Sequence, residues 1–403
     1  MIRWNKLPLC LHVAWREYRA IATSYAVLLV LVGGVFAYGL LYNYMYAPNV
    51  VRKVPVCVVD HSQSALSREY VRLLGATPEV AITHCAQDLA EAEALMQRSE
   101  VYAIFYFPRH FEEQLLRGVA SVYPLYAATD AFLYYEAVER ANLEVMEAMD
   151  DTYRTQLLPF LSVPGLVAVA TQSPVTVVGT ALYNPLEGYG IYLIPSVLMI
   201  IIFQTMMLLV AMLTGSERQH RGLVPYARLQ GGHLRVALAL VVGKSLTYAL
   251  LYFLFTFFLI GLLPLLFDIP HGASWVALAA LLTPYVFSTS FLGLALSRWY
   301  ADAEAPVLLI AFFSIGLIFL SGVSYPFELI PWPWRYAHYL IPAAPAVLAY
   351  VQLSSMDATL RDVWPQLVAL CVQLVIYFMA AVATYRHKLH LQEQCTPKQC
   401  PKV

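Results

Sequence analysis

Apolar residues run along this chain in blocks of membrane length, and nearly all charge falls between them. Residues 20–51 carry no Asp, Glu, Lys or Arg, and neither do residues 188–216. From Val236 to Phe267 the apolar run is broken only by Lys244, and the window between Asp268 and Arg298 is again free of those four residue types. A helix needs about 20 apolar residues to cross a bilayer core. The blocks therefore predict spans at 20–43, 189–213, 236–263, 274–296, 305–323 and 364–385. Residues 44–186 differ, because short β-branched and aromatic runs alternate there with helical spacing. Strands are predicted at Val54–Asp60, Val80–Cys85, Val101–Phe107 and Val122–Ala128, and helices at Ser64–Leu74, Ala86–Arg98 and Arg109–Arg117. A long helix over 131–158 and a β-flavoured return at Val167–Tyr183 complete this stretch. Such alternation implies a small α/β domain with a partly parallel sheet.

Composition agrees. The chain is 60% hydrophobic and 13% charged, about half the charge of a soluble domain, with a mean hydropathy of +0.62. The first apolar block begins near Ala20 and outruns the core of a signal peptide, so no cleavable leader is expected. Ahead of it, Trp4, Leu7, Leu11, Trp15 and Tyr18 recur every three or four residues, interleaved with Lys6, Arg16 and Arg19. This predicts an amphipathic helix over 1–19, lying in the interface or packed on the protein itself.

Sidedness follows from the joints. Gly215-Ser-Glu-Arg-Gln-His-Arg-Gly222, followed by Arg228 and Arg235, is a charged bend between two spans. Its arginines place it on the cytoplasmic face by the positive-inside bias. The 264–273 connection holds no Lys or Arg, whereas 297–304 and the tail at 386–403 are charged, so six spans with both termini inside satisfy the short loops together. The α/β insert then lies across the bilayer from the bend. Ser321–Pro345 is apolar but rich in proline, which predicts short helices re-entering the outer leaflet between spans five and six, with Trp332, Trp334, Tyr336 and Tyr339 at the interface.

Candidate chemistry is sparse. Asp60, His61, Ser62 and Ser64 cluster at a strand end, where helix capping explains them without catalysis. Cys57 and Cys85 fall on two strands of one domain, either bridged or, as expected, free. Cys395 and Cys400 lack supporting histidines in their spacing. Gly243-Lys244-Ser245 sits in an apolar helix without the glycine a phosphate loop needs, and Lys244 is expected to snorkel to the interface. Gln204 is the polar intramembrane side chain of the second span, expected to make an interhelical hydrogen bond or to line a pathway with Tyr325. Paired intramembrane carboxylates or clustered histidines, which would mark a membrane enzyme, are missing.

Several stretches in order resemble the membrane subunits of ATP-binding-cassette type-2 exporters, in the subgroup with one helix, a large extracytoplasmic domain and five more helices. They are Trp15-Arg16-Glu17-Tyr18-Arg19, Val56–Ser67, Tyr183-Asn184-Pro185, Ser321-Gly322 through Tyr325-Pro326, Pro331-Trp332 and Ile341-Pro342. The resemblance implies a polytopic α-helical membrane protein of six transmembrane helices (1+5) with an inserted α/β extracytoplasmic domain. It implies that Glu217, Arg218, Gln219, His220, Arg221 and Gly222, with Arg16 and Glu17, couple to an ATPase. His220 stands where the family has Glu, and Leu223 where it has Thr. No cofactor is expected on this chain, because ATP and Mg belong to the partner ATPase. The implied partners are ABC ATPase subunits, a second permease copy (homodimer or paralogous heterodimer), a periplasmic adaptor and the lipid bilayer, without nucleic acid, in a bacterial inner membrane. The rival expectation is a membrane-anchored scaffold whose external domain recruits a partner.

Overall fold

The computed structural model describes residues 8–394 apart from 47–49, 117–122, 129–131, 153–188, 221, 230–231, 268, 270–271, 301, 303–304, 323 and 326. The chain forms two compact units, residues 48–189 and the remainder.

In the smaller unit, β1 (Val54–Asp60), β2 (Val80–Ala86), β3 (Ala103–Phe107) and β4 (Leu125–Ala127) form one sheet in the order β2-β1-β3-β4. β1 runs parallel to both β2 and β3, and β4 is antiparallel to β3. Parallel neighbours require helical crossovers, supplied here by α3 (Ala65–Ala76) and α4 (Leu89–Gln97). The alternating side chains of β1 feed two layers. Val54, Val56 and Val58 pack with Tyr70, Leu74, Val138 and Val145 from α3 and α6 (Phe132–Thr152), while Cys57 and Val59 pack with Ala92 of α4. A short α5 (Phe111–Leu116) lies between β3 and β4. Three polar groups fasten the first layer. The Tyr70 and Tyr123 hydroxyls share a hydrogen bond at 2.6 Å, and both lie within hydrogen-bond reach of Asn142 Oδ1, at 2.7 and 2.9 Å. The Asp60 cluster is a cap: Asp60 accepts from the amides of Ser62 and Gln63 and from the Ser67 hydroxyl, and Ser64 and Ser67 form a reciprocal capping box. Cys57 and Cys85 are both free. Cys85 pairs in register with Val58, so the two thiols point to opposite faces of the sheet. The predicted return at Val167–Tyr183 and the Tyr183-Asn184-Pro185 stretch lie outside the described residues.

The larger unit is helical. Among the described residues, five helices are long and apolar enough to cross a membrane: α2 (Tyr25–Met45), residues Leu193–Gln219 of α7 (Tyr189–Gln219), α9 (His233–Leu266), α10 (Trp275–Leu296) and α14 (Trp364–Gln394, of which Trp364–Glu393 qualifies). α11 (Ala305–Leu320), over the expected fifth span, is a helix of 16 residues, about 24 Å long against a core of about 30 Å. Beyond it the prolines break the chain into a 3-10 turn, α12 (Trp332–His338) and α13 (Ala343–Ser355), with Trp332, Trp334, Tyr336 and Tyr339 exposed. His338 is the buried anchor of this segment, donating through Nδ1 to the Leu320 carbonyl at 2.7 Å. α7 runs unbroken through Gln219, so the expected bend at 215 begins only at His220; α8 (Val224–Ala227) follows it. The cause is local. Residues 215–219 continue the helix, and the chain turns where the Gly222 amide donates to the Glu217 carbonyl at 2.8 Å.

α1 (Leu9–Thr23) lies on α9 through Val13, Glu17 and Ile21, one face at i, i+4, i+8. Leu11, Trp15 and Tyr18 stay exposed on the other side. Of the two expectations for this helix, packing on the protein itself is the one observed. The close approach depends on Gly243, where an added Cβ would lie 2.9 Å from Val13 Cβ. Gly34 and Gly39 give α2 similar access, against Thr205 of α7 and Leu259 of α9, whereas Gly33 faces open space. Two π-helical turns, Val32–Ala37 in α2 and Phe257–Leu262 in α9, meet where the rings of Phe36 and Phe258 lie 4.5 Å apart. The Gly243→Ala variant is expected to lose about 1–3 kcal/mol by overpacking. Thermal unfolding of the detergent-purified protein should show a lowered midpoint, with Gly33→Ala as the unaffected control.

Candidate functional site: a buried ion network at the end of α7

Four formal charges meet where α1, α7 and α9 come together. Lys244 enters from the interior of α9 and is 0% exposed. Its Nζ lies 2.6 Å from Glu17 Oε1 and 3.1 Å from Glu217 Oε2. Glu17 comes from α1 and also accepts from the Tyr248 hydroxyl at 2.9 Å. Glu217 comes from the last turn of α7. Arg16 closes the ring, contacting Glu217 Oε1 and lying 3.0 Å from Glu17 Oε1. Two acids and two bases balance, which an apolar setting requires, since an unpaired buried ion costs several kcal/mol.

The surroundings are aromatic and backbone-rich. Arg16 stacks over the Tyr226 ring at 4.8 Å and donates to the Gly222 carbonyl at 3.1 Å, tying α1 to the turn after α7. Arg218 donates to the carbonyls of Arg298 and Tyr300 at 3.2 and 2.9 Å, tying the same helix end to the turn after α10. Tyr385 of α14 lies between two cations, Lys244 at 5.8 Å and Lys388 at 5.1 Å, and Lys388 donates to Ser297 at 2.8 Å. Thr247 donates to the Ala14 carbonyl at 3.0 Å, a third bond between α1 and α9.

Burial alone would raise the Glu17 carboxyl, but Lys244 and then Arg16 outweigh it and hold the group below the usual carboxylate range. Arg16 is likewise opposed by burial, yet Glu217 and Glu17 drive its value above the ordinary one. Burial raises the Tyr226 phenol.

The candidates divide accordingly. Arg16, Glu17, Glu217 and Gly222 are brought together, and Arg218 anchors a neighbouring turn. Gln219 and His220 are the exposed members, with His220 Nδ1 2.9 Å from the Ser216 carbonyl. Arg221 lies outside the described residues. Gln204 is half-buried and Tyr325 exposed. Two clefts among the described residues are lined by other side chains, Ile194, Leu198 and Tyr350 in one and Leu360, Arg361 and Trp364 in the other. The expected snorkelling of Lys244 is corrected: two carboxylates meet it inside the protein, so its ammonium has no need of the interface. A solitary charge in an apolar span was the available signal, because such a group requires a partner. The partner itself, Glu17, is 227 positions away.

The Lys244→Met variant, which strands two carboxylates, is expected to destabilise the protein by about 3–5 kcal/mol. Adding Glu17→Gln should restore about 0.5–3 kcal/mol of that loss, read from unfolding midpoints of the two single variants and the double. Because the folded value of Glu17 is lowered, its contribution is complete above the unfolded carboxylate value of about 4.3. It is lost as pH falls from there through the folded value. A melting-temperature profile in acid should therefore fall less steeply for Glu17→Gln than for the natural protein.

Among known families, the one described as ABC-2 family transporter protein matches residues 25–383. No curated protein and no solved structure matches the chain. The family match begins at the start of α2, so Arg16 and Glu17 precede it, while Glu217, Lys244 and Tyr248 lie within it and Tyr385 falls just past its end. It takes in four of the five membrane-length helices entirely and most of the fifth, together with the α/β unit, and the chain belongs to the ABC-2 family of transporters.

Proposed function

We propose that the chain is the permease subunit of an ATP-driven exporter. It moves a hydrophobic or amphipathic substrate, such as a drug or lipid, out of the cytoplasm by alternating access. Family membership supports a multi-pass transporter subunit and, in general, an ABC ATPase as its partner. The finer reading has six spans, α11 included, with both termini in the cytoplasm of a bacterial inner membrane. The α/β unit lies outside, and α12 and α13 dip into the outer leaflet. A second permease copy completes the pathway, and the α/β unit can receive a periplasmic adaptor.

The observation that carries this reading is the double attachment of Glu217 to Arg16 and Lys244. A push on the loop after α7 cannot move that helix end alone. It moves α1 through Arg16, α9 through Lys244 and the 297–300 turn through Arg218. ATP-driven closure of the ATPases against Gln219 and His220 would thereby reach three helices at once, as a small rigid shift. Glu17 and Glu217 act in this scheme as the internal link and Gln219 and His220 as the contact surface.

Gln219→Ala combined with His220→Ala tests the scheme, since both side chains are exposed and the fold should survive. Co-purification with the ATPase is expected to weaken roughly tenfold, about 1.4 kcal/mol, and transport-coupled ATP turnover in proteoliposomes should drop with it. Unchanged association and turnover would exclude this loop as the contact.

A further inference from the structure

The chain holds ten histidines, and the fold gathers two of them with a carboxylate away from the ion network. His233 opens α9, while His390 and Glu393 lie near the end of α14. Positions 390 and 393 are one turn apart and share a helix face. One ligand atom from each of the three residues lies within 4.8 Å of the other two, the one such group of histidine, cysteine and carboxylate side chains among the described residues. His233 Nε2 is 3.1 Å from Glu393 Oε2. The His233 and His390 rings are 5.9 Å apart and nearly perpendicular, at 82°.

These separations suit a small ion. Donors held about 2.0–2.2 Å from a tetrahedral centre lie about 3.3 Å from one another. The His233–Glu393 edge already meets that spacing. The remaining gap is within reach of side-chain rotation, because the Glu393 side chain is 57% and that of His233 29% exposed. The donor set decides the class of ion. Imidazole nitrogens suit zinc, copper, nickel or cobalt, whereas magnesium and calcium prefer oxygen alone. Three protein ligands on a surface leave a position for water.

A simple His233–Glu393 ion pair accounts for one contact, helped by the positive end of α9 beside the carboxylate. The second imidazole stands on the same face of α14 and completes a set of three ligand atoms within 4.8 Å of one another. We propose that His233, His390 and Glu393 form a site for a divalent transition ion of the zinc class. Bound there, the ion clamps the start of α9 to the end of α14. Gly232, whose positive φ of +81° turns the chain into α9, is then held next to a fixed point. The site stands independently of the coupling scheme above.

The test uses the full-length protein in detergent with Cys395→Ser and Cys400→Ser, which removes the thiols that follow Glu393 in the sequence as competing ligands. Cobalt titration is followed by its visible absorption, with zinc as competitor. One cobalt per chain, displaced by zinc, is expected. His233→Ala and His390→Ala should each weaken binding at least roughly tenfold, and Glu393→Gln should also weaken it. Metal-free melting temperatures of these surface variants should match the parent. Absent binding, or binding unchanged in both histidine variants, would overturn the site and leave His233 and Glu393 as an ion pair only.

Discussion

A lysine at the heart of an apolar helix has to be neutralised where it stands, and the larger unit is arranged around that requirement. Lys244 is wholly buried in α9, and no water reaches it. Its two carboxylate partners come from opposite directions in the chain, Glu17 from a helix before the first span and Glu217 from the last turn of α7. Two acids on one lysine would leave excess negative charge, so Arg16 is also needed. A buried ion cluster contributes little net stability compared with a well-packed apolar one, but its members tolerate no partial arrangement. That makes it a device for registering three helices rather than a source of cohesion. Cohesion comes from the apolar cluster that joins α1, α2, α7, α9, α10, α13 and α14.

Two features around the network bear on movement. Gly243, one position from Lys244, lets the backbone of α1 approach α9 closely enough for Glu17 to reach the ammonium. Packing and charge pairing at this place are thus one constraint, since a side chain at 243 would separate the ions as well as the helices. Farther along α9, the π turn at Phe257–Leu262 meets the π turn of α2. π turns leave the regular hydrogen-bond ladder locally and often sit at functional positions. α9 therefore has a rigidly pinned end at Lys244 and a ladder irregularity nearer its other end.

The α/β unit obeys ordinary soluble physics. Its sheet has apolar layers on both faces, its helix start is capped by Ser64 and Ser67, and its polar hydroxyls at Tyr70 and Tyr123 are satisfied by Asn142. Asp60 spends its oxygens on backbone and serine donors.

Much of this was legible from the residues. Apolar block length marks a helix that must satisfy its own backbone in lipid, and the blocks around 25–45, 193–219, 233–266, 275–296 and 364–393 are such helices. Period-two runs such as Val54–Asp60 mark strands, because side chains alternate across a sheet. Local rules also reached the cap at Ser64, where donor and acceptor lie three residues apart. They could not reach the pairing of Lys244 with Glu17, the meeting of Phe36 with Phe258 or the gathering of His233 with His390. Each of those joins residues far apart in the chain, and only the packing of whole helices sets their distances. The sequence by itself determined where apolar helices and strands must form, since those follow from neighbours within a few residues. Only the tertiary structure decided which charges neutralise which, because burial withdraws a charge from water and leaves its partner to be chosen by the helices packed around it.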